Sequence, residues 1–107
     1  MTTLIMDTIC GHVNRVTAKK EGMLTHVTIE TTCPKIKMWG TDFDIPMEEI
    51  MDIRNKTFEE KREKVDMTPT CFVPALVMNA VWMENSMISK NLVKKKNPIR
   101  IEYMEEK

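Results

Sequence analysis

The sequence carries no net charge. Sixteen lysines and arginines balance sixteen aspartates and glutamates, so no global field draws the chain to nucleic acid or to an anionic membrane surface. Glycine is scarce, with three in 107 residues, and none of them builds a Gly-rich phosphate loop. No Cys-x-x-Cys pair occurs, which removes the usual dithiol redox motif and the usual local zinc signature. The cysteines number three. An odd count argues against a disulfide framework and for a reducing, cytoplasmic setting. The longest apolar run is broken and too short to span a bilayer, and the start, Met1 to Asp7, lacks the basic region of a signal peptide.

What is present suits a globular chain, 42% hydrophobic and 30% charged. Its length predicts one domain, residues 1–107, with a core that needs no structural metal. Eleven methionines are many for this length; they read mainly as flexible core filler, with an adaptable partner surface as the sharper alternative.

Residues 10 to 33 predict a β-hairpin, because His12–Ala18 and Leu24–Glu30 are rich in β-branched residues. A turn at Glu21-Gly22 would put Val16, Ala18, Val27 and Ile29 on a buried face, and Val13, Arg15, Lys19, His26 and Glu30 on the other. It would also set Cys10 directly opposite Cys33 on the core side, with His12 two residues inward. A short helix, Pro34 to Trp39, ends at Gly40. Residues 41–46 form a loop or short extended piece, and 47–54 a second helix. A capping box at Thr57-x-x-Glu60 starts a charged helix to Val65. The longest helix runs from about Phe72 to Ser89, apolar on nearly every side. Ile99 to Tyr103 alternates apolar and charged and predicts a final strand. The expected class is α+β, in the order ββααααβ, with the helices packed on one face of an antiparallel sheet.

The sharpest chemical signal is the cysteines. Thr70 as an N-cap would place Cys71 at the start of the long helix, among unpaired N–H groups that favour a thiolate. The Thr-Cys phrase recurs at Thr32-Cys33-Pro34. One reading takes Cys10, Cys33 and Cys71 as thiolate ligands of zinc or an iron–sulfur cluster, with His12 or an exogenous group as the fourth. An open position of that kind suits an accessory or carrier protein better than a structural staple. A second makes Cys71 or Cys33 the nucleophile of a thiol-dependent sulfur or redox carrier. In a third the cysteines are small buried hydrophobes. The chain is then a metal-free interaction module, docking a protein partner or a second copy through Met78, Trp82 and Met87. No protease signature or other catalytic constellation appears.

Cys10-Gly11 before a strand, Cys33-Pro34 after its partner, and Cys71-Phe72-Val73-Pro74 leading into Ala75 and Ala80 together resemble a small uncharacterised three-cysteine protein family of methanogenic archaea and anaerobic bacteria. There the last motif is Cys-Pro-Val-Pro; Phe72 departs from it. The resemblance implies anaerobic cytoplasmic chemistry around the cysteines.

Other candidates read as ordinary surface. His26 falls on the solvated face of the hairpin. The acidic stretch Asp42, Asp44, Glu48, Glu49 and Asp52 lacks calcium-loop spacing. Lys94 to Lys96 has no interleaved aromatics, so no nucleic-acid surface is expected.

Overall fold

Two strands rich in β-branched residues and one tight turn set the centre of the molecule, a computed structural model that describes residues 1–105. Strand β2 (Val13–Glu21) pairs antiparallel with β3 (Leu24–Thr31), with Val16 opposite Ile29, Ala18 opposite Val27 and Glu21 opposite Leu24. The turn is Gly22-Met23, one residue later than the sequence predicts. Gly22 has φ +63°, the positive value that a type II′ turn requires at its first loop position, so Glu21 stays in the strand. Moving the turn by one residue moves every cross-strand partner by two. The faces therefore survive while the register does not: Val16, Ala18, Val27 and Ile29 are buried as expected. Cys10 and Cys33 are not opposite residues, and both lie outside the ladder.

The sheet has four strands in the order β1-β2-β3-β4. β1 (Thr2–Asp7) pairs with β2, and β4 (Asp42–Pro46) pairs with the far side of β3. Helix α1 (Pro34–Trp39) links β3 to β4 and stops at Gly40. The class is α+β, but β4 precedes most of the helices and Ile99 to Tyr103 joins no sheet. The expected ββααααβ order is corrected on both points, and also by β1, a strand ahead of the hairpin that the expectation lacks. The second predicted helix shrinks to a single 3-10 turn, Met47–Glu49. Helix α2 (Lys56–Arg62) is capped by Asn55, whose Oδ1 accepts from the Phe58 N–H at 2.8 Å; Thr57 instead donates to Glu49.

Helix α3 (Val73–Glu84) is the helical element that covers the sheet, burying Val73, Val77, Ala80 and Val81 against β1 and β2. It begins two residues after Cys71 and ends before Ser86, whose φ of +60° breaks it. Glu84 ties its end to the sheet, accepting from Thr2 Oγ1 and the Lys20 N–H, each at 2.9 Å. Ser89 then caps a separate helix, α4 (Lys90–Lys96), in what the sequence reads as a connection.

Beside this layer an aromatic corner holds a lysine. Trp39, 1% exposed, meets Phe43 and Phe58 edge-on at 5.7 and 5.1 Å between ring centres. Lys61, itself buried, sets Nζ 3.6 Å from the Phe43 ring centre and donates to the Trp39 carbonyl at 3.3 Å. Burial first, and the nearby charge of Lys64 second, together lower its pKa to about 8. The unfolded chain, with an ordinary lysine, binds more protons between that value and about 10.5. Folding stability should therefore rise as pH increases through this window. Urea titrations at several pH values check it, and Lys61→Met should flatten the rise. A slope unchanged by Lys61→Met would contradict the buried-cation account.

Candidate functional site

The loop from β1 to β2 is short and strongly bonded, which fixes Cys10 despite its exposure. The Thr8 N–H donates to the His12 carbonyl and the Gly11 N–H to the Thr8 carbonyl, both at 2.9 Å. Gly11 has φ +87°, a backbone state a side chain would oppose. The Thr8 hydroxyl lies 2.9 Å from Cys10 Sγ and 3.1 Å from the His12 carbonyl oxygen. It carries one hydrogen, so thiolate formation at Cys10 lets that hydrogen turn from the carbonyl to sulfur. Chiefly for that reason the Cys10 pKa is lowered, with the His12 N–H adding to it. The expectation that Cys10 is buried on the core side is corrected: it stands in a turn, open to solvent.

His12 is held by the opposite strand end. Its Nδ1 lies 2.9 Å from Thr32 Oγ1, which also accepts from the Val13 N–H at 3.3 Å. When Nδ1–H donates to Thr32, Nε2 presents its lone pair. Cys33 follows at once. Its N–H donates to Thr31 Oγ1 at 3.1 Å, and its carbonyl accepts the first backbone bond of α1, from the Lys37 N–H.

Cys71 differs from its expected setting. Thr70 does not cap α3, and the N-cap is Phe72. The Cys71 N–H closes a turn on the Thr68 carbonyl at 2.9 Å, so the thiol precedes the helix. Burial pushes its pKa up; the Val73 N–H counters this, while charge on Cys33 or Cys10 would push it further upward. The expected easy thiolate is thus corrected to a thiol whose burial favours the protonated form.

These loops converge. Cys10, His12, Cys33 and Cys71 line one cavity of about 640 Å³, walled by Ile9, Pro34, Met67 and Phe72. Among the described residues no three His, Cys, Asp or Glu side chains close on a point as a single ion's ligands do; the thiols stand around a space. Cys71 also borders a second, largely apolar cavity of about 550 Å³, lined by Ile50, Ile53, Phe58, Met78, Trp82 and Ile88 among others. Trp82 is fixed there, Nε1 donating to the Ile50 carbonyl at 2.7 Å. Of the expected partner-surface residues, Met78 and Trp82 share this groove, while Met87 is exposed outside its lining.

Thr8 and Thr32, which set the donors around Cys10 and His12, were not candidates on sequence. A threonine two residues before a cysteine in a turn closed by glycine is the local signal for Thr8. His26, read as plain surface, is gripped on both nitrogens: Nδ1 lies 2.7 Å from Asp44 Oδ1 and Nε2 3.0 Å from Asp42 Oδ1. The Asp44 bond chiefly raises its pKa, with Asp42 adding charge. Protonated His26 therefore adds stability that is fully present below the unfolded value of about 6.5 and lost as pH rises through the higher folded value. An NMR titration should place the folded pKa above that of a model peptide, and Asp44→Asn should bring it down. A titration indifferent to Asp44→Asn would contradict the contact.

A family model described as a family of unknown function (DUF6951) matches residues 1–96, which takes in every cysteine. No curated protein and no solved structure matches the chain. No helix among the described residues is long and apolar enough to cross a membrane.

Proposed function

The chain belongs to this family of unknown function, and from that premise we propose that it is a cysteine-based metal-binding accessory or carrier protein, its centre held by Cys10, Cys33 and Cys71. The observation that carries the reading is the shared cavity, to which three separate loops bring thiols and an imidazole. Thiolates favour zinc and iron–sulfur clusters. Negative charge on Cys10 and Cys33 disfavours a thiolate at Cys71, and a cation among them would reverse that sign. The space between the thiols suits a cluster better than a lone zinc ion, with His12 Nε2 or an exogenous group at the remaining position. An open position of that kind fits a protein that passes its centre or an electron to a partner. A reducing, anaerobic cytoplasm would keep such thiolates available.

Anaerobic purification with metal and acid-labile sulfide analysis tests this reading. Bound metal at about one centre per chain and sulfur-to-iron absorption in the visible are expected for a cluster; zinc without colour would support the mononuclear form. A metal-free chain that takes up neither iron, sulfide nor zinc on reconstitution would overturn it.

One observation favours a second reading, a thiol-dependent sulfur or redox carrier. Cys10 is exposed with a lowered pKa, the combination of an attacking thiol, and Cys33 or Cys71 would resolve the mixed disulfide. On this reading Thr8→Val should slow alkylation of Cys10 near neutral pH, because the hydroxyl that favours its thiolate is gone. A rate unchanged by Thr8→Val would remove the support. The metal-free interaction module, or a homodimer through Met78 and Trp82, rests on the apolar groove.

A further inference from the structure

We propose that the C-terminal segment Ile99–Met104 of one copy of this chain docks as a fifth strand on the free edge of β1 in a second copy. The segment has a strand's pattern, with Ile99, Ile101 and Tyr103 on one side and Arg100 and Glu102 on the other. Its two charged side chains meet, Arg100 Nη2 lying 2.7 Å from Glu102 Oε1. Yet it joins no strand among the described residues, and Ile99, Ile101, Tyr103 and Met104 are between 72% and 87% exposed. That is a large apolar surface with no cover.

The sheet has two edges, and they differ. β4 carries Asp42, Asp44 and Pro46, the charges and proline that blunt an edge against pairing. β1, with the sequence Thr-Thr-Leu-Ile-Met-Asp, has no proline and no charge before its last residue. Leu4 and Met6, on its helix-facing side, are only half-buried. A strand laid beside β1 with its isoleucines and tyrosine toward the helices would satisfy the open backbone groups and cover both residues. Each copy offers one such edge and one such tail, so the exchange is reciprocal and closes as a two-fold dimer.

Sedimentation equilibrium and amide hydrogen exchange on the full chain test it, with Ile101→Asp as the variant, at a position already exposed. The unmodified chain should be a dimer, with slow exchange at the outward amides of Thr2 to Asp7. That substitution should yield monomer and remove the protection, leaving the other amides unchanged. A monomeric unmodified chain, or a dimer indifferent to Ile101→Asp, would overturn the proposal. A dimer lost in Ile101→Asp without change in β1 exchange would place the tail elsewhere, the apolar groove included, and overturn the edge assignment.

Discussion

If Cys10, Cys33 and Cys71 hold one metal centre as proposed, replacing Cys33 with serine should weaken metal binding by more than about 100-fold, since removing even an outer-shell partner of a metal ligand costs about 10–100-fold. Cys33 stands where β3 gives way to α1, with its N–H and carbonyl both bonded. Serine keeps those backbone bonds and removes the soft ligand, so the fold should persist while the centre does not. Cys71→Ser should act as strongly, and His12→Ala less, because an exogenous group can take its position. Competition with a chromophoric chelator measures all three. If Cys33→Ser leaves the metal affinity within a few-fold, the shared centre is wrong whatever metal the protein holds.

Trp39→Ala should destabilise the fold by about 3–5 kcal/mol, the usual cost of removing a buried aromatic and leaving a cavity. Trp39 is almost wholly buried and meets the rings of Phe43 and Phe58, so α1, β4 and α2 all lose a contact at once. The buried Lys61 amine also sits 5.1 Å from that ring and would lose one of its aromatic faces. Against a typical total of about 5–15 kcal/mol for a domain, this is a large share. Equilibrium urea unfolding reads it directly. A loss below about 1 kcal/mol would mean that the corner is not part of the cooperative core.

The sequence made some of this legible and hid the rest for physical reasons. Period-two alternation in Val16, Ala18, Val27 and Ile29 revealed which side of the hairpin is buried, because a slip by two residues preserves the face. It did not reveal the register, which depends on whether glycine takes the first or second loop position. β1 is not legible in the sequence, because Leu4-Ile5-Met6 is a short continuous apolar run without alternation, and such runs carry no period. Ile99 to Tyr103 does alternate, yet alternation alone does not choose a partner edge. Pro74 signals a helix start, but Val73 rather than Cys71 opens α3, and burial of the thiol outweighs the help that the Val73 N–H gives its thiolate. Lys61 lies in a charged helix and looks solvated; only the aromatic rings arriving from α1 and β4 bury it.

The claim that the cysteines act on one centre is tested most directly by an alkylation time course under anaerobic conditions, with and without chelator. A shared centre predicts that all three thiols of the holo protein resist alkylation, that chelator exposes them together, and that Cys10→Ser exposes Cys33 and Cys71 without chelator. Rapid alkylation of the exposed Cys10 alone, indifferent to chelator and to changes at Cys33 and Cys71, would contradict it.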